Sequence, residues 1–267
     1  MTPIRLIAAD MDGTLLDSRG RLPGGLFPLI RELTGRGIRF VIASGRQYYN
    51  LESLFRPVAE HLTFIAENGA AVFEKGELLF FDEMRAEDVR SLLDVCSGMP
   101  DTVPGLCGVQ ATYIEREDPV LEERVRVYYD RLEHVDHLAG VLDKDRICKV
   151  TIYVSGGAEK AVYPALRARY PKLKVTLSGE HWVDVSNPSA HKGSAVAVLQ
   201  RRDGITPEAC MAFGDYLNDC EMMQVCKQSY GMKNGHPDLL AGCRFVTEKT
   251  NDEDGVCDTL RRVFQLT

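Results

Sequence analysis

Short apolar runs punctuate the chain, and each stops at a polar cluster. Ile4–Ala9 runs into Asp10-Met11-Asp12-Gly13, and Ile38–Ala43 into Ser44-Gly45-Arg46. Phe64–Ala66 runs into Glu67-Asn68-Gly69, and Glu208–Phe213 into Gly214-Asp215. Runs this short and this continuously apolar predict strands buried on both faces, the habit of a parallel sheet. Between them lie amphipathic stretches with helical spacing, at Leu29–Thr34, Glu83–Cys96, Ala190–Leu199 and Cys257–Phe264. Ala71–Phe73 and Leu78–Phe81, split by a polar turn, predict a hairpin.

From about Asp82 the pattern changes. Strand-like pieces at Leu106–Ile114, Ile147–Val154, Leu173–Ser178 and His181–Val185 alternate with helical stretches around Val120–Glu133 and Ala158–Tyr170. Mixed elements of this kind suggest a separate α+β unit. His134 and His137 have the spacing of a metal pair but no second cluster nearby, and read as a solvated segment.

The polar clusters at the strand ends carry the chemistry. Asp10 can attack an electrophilic phosphorus, and Asp12 is near enough to move a proton to the leaving group. A carboxylate approaching a phosphate dianion is repelled, so a hard cation such as Mg2+ is expected between them. The plain alternative is a turn whose aspartates cap a helix. Ser44, with Gly45 and a following helix, forms a plausible phosphate cradle or a simple N-cap. Lys192 falls in the first turn of a helix, where a cation opposes the helix dipole. That misfit suggests a task, offsetting charge on a phosphate and a carboxylate; an exposed surface lysine is the alternative. Asp215 and Asp219 lie four residues apart at another strand end, and carboxylates from separate strand tips can complete an oxygen site for Mg2+. Asn68 reads as a turn residue, with a substrate-side role as the alternative.

Taken together, Asp10–Ser18 (DMDGTLLDS), Ser44-Gly45-Arg46, His191–Val196 (HKGSAV) and Gly214–Asp219 (GDYLND) resemble, in order, the four signatures of the haloacid dehalogenase (HAD) superfamily of phosphohydrolases. The insertion before the third signature resembles the class IIB cap of its Cof-type branch. The resemblance implies an α/β fold: a doubly wound, mostly parallel, Rossmann-type core of residues 1–82 and 185–267, with an inserted α+β cap of residues 83–184 that selects substrate. It implies Asp10 as nucleophile, Asp12 as acid and base, and Lys192 as the neutralising cation. It implies Ser44 and Gly45 at the phosphoryl group, Arg46 reaching substrate or tying down its loop, and Asn218 as a donor near the phosphate. Mg2+ would be held by Asp10, the backbone carbonyl of Asp12, and Asp215, with Asp219 as ligand or orienter. The activity implied is Mg2+-dependent hydrolysis of small phosphorylated metabolites through an aspartyl-phosphate. A phosphosugar mutase would use the same strings, whereas a non-catalytic binding module should have lost Asp10, Asp12 or Lys192.

Composition narrows the partners. A net charge of −7 argues against nucleic acid. No apolar run approaches the roughly 18 residues of a membrane helix, and no signal-peptide core is present. The eight cysteines form no CxxC pair and read as reduced thiols, consistent with a cytoplasmic location. No protein partner is implied.

Overall fold

The computed structural model describes residues 2–99, 101–115 and 128–266. It divides into two compact units, Met1–Phe80 with His191–Thr267, and Phe81–Ala190.

Among the described residues, the first unit holds a sheet of eight strands, numbered here in chain order: β1 (Leu6–Asp10), β2 (Arg39–Ala43), β3 (Leu62–Ala66), β4 (Ala71–Glu74), β5 (Glu77–Phe81), β12 (Cys210–Gly214), β13 (Gln228–Gly231) and β14 (Phe245–Val246). Their order is β14-β13-β12-β1-β2-β3-β4-β5. The pairs from β14 through β3 are parallel, and β4 turns back antiparallel on β3. The α/β, mostly parallel sheet expected from the apolar runs is present. Side chains alternate across it. Leu6, Ala8, Val41, Ala43 and Ile65 join a core with Ala195, Val196 and Leu199 of the helix Lys192–Asp203 and with Met222 of the helix Cys220–Val225. Ile7, Ala9, Phe40 and Ile42 occupy the other face and are fully buried, as are Ile30 and Leu33 of the helix Leu26–Gly35, which packs on β2.

The second unit contains β6 (Thr102–Gly108), β7 (Thr112–Ile114), β8 (Leu132–His134), β9 (Ile147–Val154), β10 (Lys174–Gly179) and β11 (Trp182–Ser186), in the order β10-β11-β9-β6-β7-β8. Its core joins Leu106, Val150, Ile152, Val183 and Val185 to Val89 and Leu92 of the helix Ala86–Ser97 and Leu166 of the helix Val162–Arg169. Two expectations change here. The piece expected over Leu106–Ile114 is a hairpin, because Gly108 N–H donates to Ala111 O at 2.9 Å and reverses the chain. Most of the helix expected over Val120–Glu133 lies outside the described residues. Its last residues, Leu132 and Glu133, are instead strand, since parallel pairing with β7 outweighs local helical spacing. His134 and His137 are exposed.

Candidate active site

β1 sits between β2 and β12, so the ends of all three strands converge. Asp10 is level with Ala43 of β2, and Ala9 with Phe213 of β12. Asp10, Ser44 and Asp215 therefore emerge side by side at the carboxyl edge, where open parallel sheets bind ligands.

Beyond Asp12 the chain bends at Gly13, with φ +78°. A Cβ there would approach the Asp215 carboxyl carbon to 2.8 Å, so a side chain would displace that carboxylate. Thr14 Oγ1 donates to Asp215 Oδ1 at 2.9 Å. Two asparagines fasten this loop from the far end of the chain. Asn234 Nδ2 donates to Gly13 O at 2.8 Å, and Asn251 Nδ2 to Leu16 O at 2.9 Å. Sequence reasoning missed Thr14, Asn234 and Asn251 in these roles; their signal was present only as ordinary turn residues.

Lys192 begins its helix fully buried. Its Nζ donates to Asp10 Oδ1, and to Asp219 Oδ1 at 2.6 Å. The opposition to the helix dipole is thus outweighed by two carboxylates. His191 caps the helix by accepting Ser194 N–H on Nδ1 at 3.1 Å. Asp219, also fully buried, uses its second oxygen to accept N–H groups of Asp215 at 3.1 Å and Tyr216 at 3.3 Å.

Carboxylate oxygens of Asp10, Asp215 and Asp219 lie within 4.8 Å of one another. Against one ammonium, three ionised carboxylates leave two negative charges in a buried space. The titration of Asp10 and Asp215 reflects burial first and that excess second. Burial, reinforced by the charge of Asp219, raises Asp10 well above the usual carboxylate range despite Lys192. Burial also raises Asp215, with the Thr14 hydrogen bond opposing and Asp219 adding. Burial alone would lower Lys192, but Asp10 and Asp219 outweigh it and hold the ammonium protonated. An all-oxygen donor set with two uncompensated charges suits a hard divalent cation.

Asp12 stands apart. Its side chain is 54% exposed and takes a fork from Arg46, with Nη2 at 2.6 Å and Nε at 3.1 Å. Arg46 also donates to Asn50 Oδ1 at 3.2 Å, so this arginine ties its own loop to Asp12. Ser44 is buried, and its hydroxyl accepts Arg46 N–H at 3.2 Å. Gly45 lies beneath Asn68, whose Oδ1 accepts from Asn218 Nδ2 at 3.1 Å. The candidates at the strand ends and helix starts, Asp10, Asp12, Ser44, Gly45, Arg46, Lys192, Asp215, Asn218 and Asp219, thus reach one edge of the sheet, but the Asp12 side chain is not among the gathered carboxylates.

The family profile of haloacid dehalogenase-like hydrolases matches residues 7–260. The chain belongs to this family. It is 30% identical over 265 residues to the 5-amino-6-(5-phospho-D-ribitylamino)uracil phosphatase YbjI of Escherichia coli, covering 98% of this chain and 97% of that one. It is 27% identical to the HMP-PP phosphatase of Cronobacter sakazakii, over 89% of this chain and 87% of the relative. A solved structure from Streptococcus mutans is 31% identical with a TM-score of 0.85, covering 98% of this chain and 99% of the other. The HAD resemblance carried by the four strings therefore holds, and the protein is a HAD-type phosphatase. Among the described residues, no helix is long and apolar enough to cross a membrane.

Proposed function

We propose that this phosphatase hydrolyses monoesters of small phosphorylated metabolites in two steps through Asp10. The observation that carries this reading is the buried Lys192 ammonium bonded to Asp10 and Asp219 beside a third carboxylate. Asp10 attacks phosphorus, and Asp12, partly exposed beside Arg46, gives a proton to the leaving oxygen. Asp12 then takes a proton from water, which cleaves the aspartyl-phosphate. Lys192 offsets charge on Asp10 and on the incoming phosphoryl oxygens, and the Ser44 hydroxyl donates to one of those oxygens. Asp10, Asp215 and the backbone carbonyl of Asp12 would hold Mg2+, which when bound supplies Lewis-acid stabilisation of the phosphoryl oxygens. Asp219, with both oxygens already engaged, orients Lys192 and the turn at Asp215. The inserted unit Phe81–Ala190 is assigned the choice of leaving group. The Escherichia coli relative is named for a phosphorylated ribitylaminouracil, which makes that compound the leading candidate substrate.

The test is phosphate release from p-nitrophenyl phosphate and a metabolite panel headed by that compound. EDTA should stop release and Mg2+ restore it; release indifferent to chelation would remove the metal assignment. Isomerised phosphosugar without free phosphate would point to a mutase instead. Asp12→Asn should slow turnover by about 100-fold to 10,000-fold, the usual range for a lost acid–base group. The phosphorylated Asp10 should then accumulate and be seen as an 80 Da mass increment, roughly one phosphoryl group. Wild-type turnover in this variant would exclude Asp12 as the proton carrier.

A further inference from the structure

The turn after β3 is built from an unfavourable backbone. Glu67, Asn68 and Gly69 all have positive φ, at 49°, 53° and 102°. Two consecutive residues with side chains persist in that region only where their surroundings hold them. Here Glu67 N–H donates to Arg46 O at 3.1 Å and Asn68 N–H to Ser44 O at 2.9 Å. On the other side, a Cβ on Gly69 would lie 2.8 Å from Lys192 N. The turn is therefore wedged between the Ser44 loop and the start of the Lys192 helix.

A glycine at position 68 would adopt this backbone with less strain, yet the chain places an amide there. Asn68 Oδ1 is occupied by Asn218 Nδ2 at 3.1 Å. Its Nδ2 keeps hydrogens to donate, and among the described residues no acceptor takes them. That nitrogen lies over the Ser44-Gly45 backbone, since a Cβ on Gly45 would be 2.9 Å from it. A neutral donor here adds hydrogen bonding for an anion while leaving the charge balance of the carboxylate trio unchanged.

We infer that Asn68 is a substrate-binding residue whose side-chain N–H donates to a phosphoryl oxygen. The inference rests on the phosphatase site described above and adds a residue to it. Asn218 holds the Asn68 amide in the orientation that presents Nδ2 beside Ser44.

Two substitutions separate this role from a turn role. Asn68→Gly keeps the left-handed backbone and removes the amide. Asn68→Asp keeps an oxygen for Asn218 and removes the donor. With the full chain and saturating Mg2+, Asn68→Gly should raise KM for p-nitrophenyl phosphate and Ki for inorganic phosphate by about 10- to 100-fold, the loss of one hydrogen bond to a charged group, and Asn68→Asp by more, since its carboxylate also repels the anion. Asn68→Gly should melt within about 2 °C of wild type, since only exposed contacts are lost. Wild-type KM and Ki in Asn68→Gly would overturn the inference. A raised KM with unchanged phosphate Ki would also overturn it, by placing the amide on the leaving group. An active wild type beside an unaltered Asn68→Gly removes this inference alone, whereas an inactive wild type removes the phosphatase reading and the inference with it.

Discussion

Asp10→Asn should abolish turnover and at the same time raise the melting temperature of the chelated protein. The loss should be on the order of 10,000-fold or more, as for other residues that form the covalent bond. The gain in stability follows from the charge count. Asp10, Asp215 and Asp219 crowd within 4.8 Å, and burial disfavours the ionised form of Asp10 even beside Lys192. The asparagine keeps an oxygen for Lys192 and brings an N–H toward Asp215, while one buried negative charge disappears. Relief of about 1 kcal/mol would appear as roughly 2–4 °C. Phosphate release and thermal melting in EDTA test both halves. Turnover within tenfold of wild type would remove Asp10 as nucleophile. A fall of several degrees would mean that ionised Asp10 stabilises the fold.

Lys192→Met should also abolish turnover, with the opposite effect on stability. The ammonium is fully buried and bonded to two carboxylates. Methionine fills similar space but leaves the trio with no protein cation. Breaking a buried pair from one side costs about 3–5 kcal/mol, so melting should fall by on the order of 10 °C. Saturating Mg2+ should recover part of that fall by supplying charge to the same oxygens. Adding Asp10→Asn to Lys192→Met should offset the destabilisation by more than its effect alone, a coupling of about 1 kcal/mol or more. A Lys192→Met protein that melts like wild type in EDTA would contradict the account of the trio.

The parallel sheet and the strand-end location of the chemistry were legible because each apolar run was short and ended in a compact polar string. Asp10, Lys192, Asp215 and Asp219 could be picked out because each was locally out of place, a buried carboxylate at a strand tip or a lysine at a helix start. What joins them was not legible. Thr14 meets Asp215 across 201 positions, and Asn234 meets Gly13 across 221, contacts that only the sheet order creates. Arg46 had two readings, reaching substrate or tying down its loop, and its fork on Asp12 is a contact that neither one specified. Leu132 and Glu133 misled because their spacing fits the end of a helix, whereas pairing with the neighbouring strand claims them. The strain at Glu67 and Asn68 was hidden for a similar reason: Asn-Gly predicts a tight turn, but not that the residue before it also turns left-handed.

The placement of β1 between β2 and β12 has a consequence for how the protein is made. β2 follows β1 closely in synthesis, but β12 begins only at Cys210. Until then the nascent chain carries a strand that the finished sheet buries completely with one side bare, an edge able to recruit other strands. The inserted unit, complete by Ala190, is translated during that interval and can fold on local contacts while β1 waits. Asp10 gains its Lys192 partner and then its neighbouring carboxylates only as the last third of the chain emerges. A ribosome stalled before Asp215 would hold Asp10 already in place, without the carboxylates of Asp215 and Asp219 that surround it in the finished fold.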